Sequence, residues 1–210
     1  MTASRLILDT RTGFPERAGA RGGLPGVTMH THVILLRGVN VGKAKRIPMS
    51  TFKALLLKLG CEEVTTLLNS GNAVVSRPGV SSATLAREVS SAIRDTIGID
   101  VPVVVKSTRD FGAIVAGNEL LSGSTNPSRL LVAFAQGGPA LKALATISSF
   151  ARSPDRFLLG TKAAYLYCPR GILGSDAAKA LLGRVGQGVT TRNWATVLKL
   201  HGIAAARLNE

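Results

Sequence analysis

One short stretch of the chain, residues 37–43 (RGVNVGK), combines residue types that bind anions. Arg37 offers a planar fork of N–H donors and Lys43 offers an ammonium group, while the two glycines let the backbone approach a ligand closely. A Walker A loop needs four residues between its glycines and a Ser or Thr after the lysine, whereas this chain has three residues and Ala44. The stretch therefore predicts an oxyanion-binding turn and argues against nucleotide hydrolysis by Walker-type machinery.

A second polar turn is expected beside the first. Two β-rich runs, residues 63–68 and 72–76, flank the sequence Asn-Ser-Gly, which is typical of a tight hairpin turn. In a split βαβ arrangement, the end of the first strand and this hairpin emerge at the same edge of the sheet. The polar side chains expected at that edge are those of Arg37, Asn40, Lys43, Ser70 and Asn72. Their donors suit the oxygens of a carboxylate or a phosphate.

A third polar cluster, with the sequence TTRNW, lies near the end of the chain. We predict that a helix begins there with Thr190 or Thr191 as its cap. The backbone N–H groups of Arg192 and Asn193 would then be free at a helix N-terminus, where the dipole favours negative charge. The alternative is a capped helix in which these residues have a purely structural role.

The first two turns also permit a structural interpretation. Their glycines would turn the chain, Asn40 and Asn72 would satisfy loop backbone groups, and Arg37 would pair with an acidic neighbour. Residues for acid–base or nucleophilic chemistry are few, and no histidine is evidently placed to activate Ser70. Catalytic residues are therefore not assigned, and an enzyme acting on a small anionic substrate stays an alternative.

The composition points to a folded, basic protein. Apolar residues make up 45% of the chain and charged residues 18%, while the formal net charge is +14. A positive potential of this size attracts anions, so a small anionic molecule or a nucleic acid is the expected partner. A basic, solubilising surface would explain the charge equally well. Aromatic residues are only 4% of the chain, which argues against a platform for stacking bases.

No motif implies a metal or a cofactor. The two cysteines, Cys61 and Cys168, lie far apart and outside any Cys-x-x-Cys spacing, which is typical of reduced thiols in a cytoplasmic protein. Residues 1–28 are rich in Gly, Pro and Arg, and their apolar run is too short for a signal peptide, so we expect a flexible extension there. No apolar stretch approaches the ~18 residues of a membrane span, and we expect no membrane partner. Nothing indicates the oligomeric state.

The hydrophobic patterns predict an α+β fold made of two consecutive ferredoxin-like (split βαβ) modules, the second ending in an extra helix. The first module, residues 29–106, has the order β-α-β-β-α-β. The second, residues 107–210, opens with a connecting helix capped by Ser107 and continues as β-α-β-β-α. At the position of the last strand of this module, the sequence predicts the terminal helix instead.

The segments expected in the first module include a helix capped by Ser50 and ended by Gly60, and a second helix capped by Ser81 or Ser82 and ended by Gly98. Strands are expected at residues 32–37, 63–68, 72–76 and 101–106.

Four stretches of the chain resemble a bacterial family catalogued as domain of unknown function 1697. They are LLRGVNVGKAKRIPMSTFKALLLKLG, VTTLLNSGNAVVS, PRGILGS and TTRNWATVLKL. The resemblance covers essentially all of residues 31–202 and implies a two-part α+β fold with ferredoxin-like units, but no activity, substrate or cofactor. The motif positions are Arg37, Gly38, Asn40, Gly42, Ser70, Gly71, Asn72, Thr191, Arg192, Asn193 and Trp194.

Three functions are compatible with these observations. The first is a module that binds a phosphorylated or carboxylated ligand, or a nucleic acid, through Arg37, Asn40, Lys43, Ser70, Asn72, Thr191, Arg192 and Asn193. The second is an enzyme on a small anionic substrate, which requires the clusters to face a common pocket. The third is a scaffold protein whose motif side chains are buried and bonded to one another.

Overall fold

The computed structural model describes residues 29–42, 45–121 and 126–207. It contains two antiparallel sheets of four strands each, so the predicted α+β class is confirmed. The expected extension at residues 1–28 and the side chain of Lys43 lie outside the described residues. None of the helices in the described part of the chain is long and apolar enough to span a bilayer.

The first sheet and its helices occupy the first half of the described chain. The strands are β1 (Met29–Leu36), β2 (Glu62–Leu67), β3 (Asn72–Pro78) and β4 (Val103–Ser107), and the helices are α1 (Met49–Lys58) and α2 (Ser82–Ile97). The strand order is β2-β3-β1-β4. The predicted order of elements in this half is thus confirmed.

Local signals set the ends of these helices. The side chain of Ser81 accepts a hydrogen bond from the backbone N–H of Thr84, and Gly98 closes α2 in the left-handed conformation at φ 77°. Gly60 also has a positive φ of 76°, as expected after α1. The prediction that Ser50 caps α1 was wrong, because Pro48 occupies the cap position and fixes the φ of the entering backbone instead.

The second half repeats the arrangement. Helix α3 (Thr108–Ala116), capped by Ser107, leads to β5 (Leu130–Ala135) and then to α4 (Gly138–Lys142), which continues as a 3₁₀ helix, Ala143–Phe150. The remaining elements are β6 (Arg156–Leu159), β7 (Ala163–Tyr167), a 3₁₀ turn (Ile172–Gly174), α5 (Asp176–Leu182), β8 (Val189–Asn193) and α6 (Trp194–Ala206). The strand order is β6-β7-β5-β8, which matches that of the first sheet.

Strand β8 corrects the sequence prediction that a helix fills this position. Its residues pair antiparallel with β5, from Leu131 opposite Asn193 to Ala135 opposite Val189. The β-branched pair Thr190 and Thr191 suits a strand, and pairing with a buried neighbour outweighs the weak local preference. The helix begins only at Trp194, so the predicted threonine cap was also wrong.

The alternation of side chains along β1 and β5 divides the core into three layers. In β1, Ile34 and Leu36 face α1 and α2, whereas Val33 and Leu35 face a middle layer between the two sheets. Helices α3 and α6 contribute Phe111, Trp194 and other side chains to that middle layer. This packing brings the end of β1 and the length of β8 together, and it thereby positions the polar motifs.

Candidate functional site

Arg192 lies at the junction of the two sheets and is 9% exposed. A guanidinium group has five N–H donors, and all of them have acceptors in the protein. The acceptors are Asn72 Oδ1, Thr190 Oγ1 at 2.8 Å, and the carbonyls of Thr191 at 2.7 Å, Leu36 at 2.7 Å and Ser70 at 3.0 Å. We call Arg192 and these five residues the arginine seam.

The seam joins three separate parts of the chain: the end of β1, the β2–β3 hairpin and β8. Thr190 adds a further link, because its hydroxyl donates to the Leu36 carbonyl at 3.2 Å. Every acceptor of Arg192 is neutral, so no carboxylate balances its charge. Burial lowers the pKa of Arg192 to about 10, and the group stays charged at neutral pH. The guanidinium of Arg192 therefore has no N–H left to bind a ligand in this conformation. Arg192 lies in β8, so its backbone N–H is not at a helix N-terminus as predicted.

The two asparagines predicted at the site also bond to protein groups. Asn72 is fully buried, and its Nδ2 donates to the Leu67 carbonyl and to Ser70 Oγ, both at 2.9 Å. Asn40 has a left-handed φ of 57°, and its Oδ1 accepts from the backbone N–H of Ile47 at 2.9 Å. Its Nδ2 donates to the carbonyls of Ile47 and Asn69. These contacts close the turn, so both asparagines hold loop backbone as the structural interpretation had it.

A cleft of about 570 Å³ opens beside the seam, between the end of β1, the hairpin and β8. We call it the inter-sheet cleft. Its polar lining consists of Arg37, Ser70, Thr190, Thr191, Arg192, Asn193 and Thr196. Five of these seven were predicted as site residues, and the structure brings them together. Among the described residues that line the cleft there is no carboxylate, imidazole or thiol.

Arg37 is the half-buried cation of the cleft wall. Its Nη1 donates to the carbonyls of Gly186 and Val189 in the segment that leads into β8. Within the described part of the chain, its Nε and Nη2 have no hydrogen-bond partner, and the predicted acidic neighbour is not found. Burial lowers the pKa of Arg37, but a guanidinium remains charged at physiological pH. One edge of the fork is therefore available to an oxyanion in the cleft.

Hydroxyl and amide groups add further donors. Ser70 Oγ accepts from Asn72, which leaves its own hydrogen to donate. The hydroxyls of Thr191 and Thr196 and the Nδ2 of Asn193 have no partner among the described residues. Asn193 Oδ1 accepts from the backbone N–H of Thr196 at 2.9 Å and caps α6, so the positive end of that helix borders the cleft.

The remaining predicted residues lie elsewhere. Asn40 lines a separate depression of about 430 Å³ together with Gly42, Arg46 and Asn69. Asn72 lies behind the cleft wall, and Lys43 is outside the described residues. Sequence reasoning missed Thr196 and the apolar residues of the cleft, because a threonine within a helix and isolated leucines carry no motif. The periodicity of α6 counted from Asn193 could have placed Thr196 on its first turn.

Similarity to a solved structure supports this architecture. The conserved bacterial protein SP0830 from Streptococcus pneumoniae matches with a TM-score of 0.71 and 22% sequence identity. The match covers 84% of this chain and 99% of that chain, and at this identity it shows the fold alone. No protein with a curated description matches the chain.

A family comparison concerns the sequence itself. The family described as "Protein of unknown function (DUF1697)" matches residues 29–165. The matched residues include the Arg37 turn and the β2–β3 hairpin, whereas β8 and α6 lie beyond them. Because the match covers most of the 210 residues, this chain belongs to the DUF1697 family, whose function is unknown.

Proposed function

We propose that the protein binds a small oxyanion, a carboxylate or a phosphate, in the inter-sheet cleft. One observation carries this proposal: two guanidinium groups, of Arg37 and Arg192, line a cleft that has no carboxylate among its described lining residues. A charge as buried as that of Arg192 is normally paired, because transfer from water into protein is costly. An anion in the cleft would supply the missing negative charge.

Each polar group has a distinct part in this proposal. The free Nε and Nη2 edge of Arg37 would bind two oxygens of the anion side by side. Arg192 would act through its charge, while its hydrogen bonds hold the cleft wall in place. The hydroxyls of Ser70 and Thr191 and the N-terminus of α6 would contact the remaining oxygens.

Binding is better supported than catalysis. General acid–base chemistry needs a group that titrates near the working pH, such as a histidine or a carboxylate. The described lining residues of the cleft include neither. The enzyme alternative would therefore need a substrate whose reaction requires only charge stabilisation by Arg37 and Arg192.

A nucleic acid is a weaker candidate for the anion. The net charge of +14 would attract a polyanion, but the proposed site is a cleft whose free cationic edge belongs to one residue, Arg37. A filter-binding titration with single-stranded RNA at two salt concentrations separates these ligands. Binding that falls steeply with salt and survives Arg37→Gln would favour the polymer and count against the cleft.

We further propose that each sheet with its two covering helices is a ferredoxin-like unit, with residues 29–106 and 107–210 as two modules and residues 1–28 as an extension. The matching strand orders, β2-β3-β1-β4 and β6-β7-β5-β8, support the two units. The function then belongs to the pair, because the cleft takes residues from both.

The test is a calorimetric titration of the full chain with inorganic phosphate and with acetate. We expect Arg37→Gln to weaken phosphate binding at least about tenfold, since one charge-assisted pair contributes about 1.5–3 kcal/mol. Arg109→Gln is the matched control, because Arg109 is exposed on α3, has no hydrogen-bond or ion-pair partner among the described residues, and carries the same charge. Equal binding by both variants would refute the proposal.

A second variant tests the missing counter-charge directly. Asn72→Asp places a carboxylate against Arg192 Nε and should weaken phosphate binding, because the cleft loses positive potential. A thermal melt of the same sample shows whether the seam still forms. A folded Asn72→Asp protein with unchanged phosphate affinity would contradict the role given to Arg192.

A further inference from the structure

The inter-sheet cleft has an apolar side that the proposed oxyanion alone does not use. Val41, Leu68 and Leu182 all line it, and their side chains are 72%, 54% and 50% exposed. They come from three different segments: the Arg37 turn, the β2–β3 hairpin and the end of α5. Large apolar side chains that are exposed together next to a cationic group are typical of a binding site for a ligand with an apolar part.

Leu68 adds a second, independent observation. Its backbone is left-handed, with a φ of 57°, which is unfavourable for leucine and common for glycine or asparagine. The residue thus combines an unfavourable backbone conformation with a side chain that is more than half exposed. The backbone conformation costs free energy, and a residue more than half exposed recovers little of it by burial, so contact of the side chain with a ligand would explain both features.

We propose that the ligand is an amphipathic small molecule: a carboxylate or phosphate group joined to an aliphatic body. The head group would bind the free edge of Arg37, and the body would lie across Leu68, Val41 and Leu182. This inference rests on the proposed function, since it uses the same cationic edge. The cleft volume of about 570 Å³ falls within the range of small-molecule sites.

Three ligands test separately how much the anionic head group and the aliphatic body contribute to affinity. Acetate carries the head group alone, octanoate carries head and body, and octanol carries the body alone. We expect octanoate to bind the full chain at least about tenfold more tightly than acetate, because each buried methylene adds to the affinity. Octanol should bind more weakly than octanoate, because Arg37 then has no oxyanion to pair with.

The decisive variant is Leu68→Asn. Asparagine tolerates the left-handed backbone, so the protein should fold at least as well as the wild type. We expect octanoate affinity to fall about fivefold while acetate affinity stays the same, since only the apolar contact is lost. Leu182→Ser should act in the same direction. Leu57→Ser is its control, because Leu57 on α1 is also 50% exposed and lies outside the cleft.

The outcomes distinguish this inference from the proposed function. If acetate and phosphate bind through Arg37 but octanoate binds no better than acetate, the amphipathic ligand is refuted and the oxyanion site stands. If no anion binds through Arg37, both fail. A dimer that dissociates in Leu68→Asn would show that a second copy covers the apolar side, and it would overturn the small-molecule ligand.

Discussion

The arginine seam and the wall of the inter-sheet cleft contain the same residue types in very different states. In the seam, the guanidinium of Arg192 is buried and donates to five protein acceptors. In the cleft wall, Arg37 is half-buried and uses only its Nη1, on two carbonyls. The two arginines line the same cleft and both bond between the two halves of the chain, yet only Arg37 keeps a free edge.

This difference shows that a motif is not one functional unit. Residue type and spacing left open whether the motif side chains bind a ligand or hold the backbone. Counting the donors that remain unused separates those that hold backbone, such as Asn72 and Arg192, from those that can bind a ligand, such as Arg37. The number of free N–H groups is thus a better guide to the site than the charge.

The largest effect is expected for Arg192→Gln. Glutamine cannot reproduce the fork of donors, so several buried carbonyls, including those of Leu36 and Ser70, lose their partners. We expect a loss of about 3–5 kcal/mol in the free energy of unfolding. Urea denaturation measures it, with Arg109→Gln as the control. A loss below about 1 kcal/mol in the free energy of unfolding would show that the seam is not needed for stability. Arg192 and Arg37 would then not differ in structural role.

A slightly smaller effect is expected for Gly71→Ala in the hairpin that supports the seam. Gly71 has a φ of 71°, and an added Cβ would lie 2.6 Å from Leu36 Cβ and Val39 Cγ2. We expect a destabilisation of about 3 kcal/mol, combining backbone strain with a clash in a packed core.

Gly79→Ala is the matched control for that hairpin variant. Its φ of 65° is similar, but nothing lies within 4 Å of the added Cβ. Gly79→Ala should therefore lower the free energy of unfolding by only about 1–2 kcal/mol, the cost of the left-handed backbone alone. Equal melting temperatures for the two variants would mean that the hairpin backbone moves to accommodate the added Cβ at no cost in stability.

His32 extends the comparison to a buried group whose charged form is disfavoured by burial. It is 2% exposed on β1 and contacts Ser82 Oγ through Nδ1 at 3.3 Å. Burial is the main cause that lowers the pKa of His32, and the nearby His30 lowers it further. The Val80 backbone contact opposes this, and Arg77 makes the smallest lowering contribution. Arg192, by contrast, keeps its proton because a guanidinium is a far stronger base.

The sign of the pH effect follows from that lowered pKa. The unfolded chain takes up the proton first, near pH 6.5, so stability is full above that pH and declines as the pH falls further. Urea denaturation between pH 8 and 5 should show a flatter profile for His32→Gln than for the wild type. If His32→Gln leaves the pH profile unchanged, His32 does not cause the pH dependence. If His201→Gln flattens the profile instead, His201 causes it.

The smallest effect on stability is expected for Arg37→Gln. Only the Nη1 contacts to the carbonyls of Gly186 and Val189 are lost, at a half-buried position where glutamine can still donate one hydrogen bond, so we expect a change of about 1–2 kcal/mol. Together with the predicted loss of phosphate binding, this would separate the ligand-binding arginine from the structural one. A destabilisation as large as that of Arg192→Gln would place Arg37 in the seam as well.

Much of the first half of the fold could be predicted from local signals. The apolar run of β1, the serine cap at Ser81 or Ser82 and the glycine stop at Gly98 act over a few residues, and each of these predictions is confirmed. Strand β8 could not be predicted in the same way, because its pairing partner, β5, lies about 60 residues earlier in the chain. Its five residues are too few for a period to stand out against the helix that follows.

Some features of the candidate site also follow from local sequence, whereas others depend on contacts between distant residues. Composition and local backbone preference fix which residue types are present, the positive charge, and the turns at Gly38 and Gly71. The burial of Arg192 among its acceptors and the free edge of Arg37 arise from long-range packing. Hydrogen bonding between residues more than 100 positions apart depends on how the two sheets pack, and no local pattern encodes that packing.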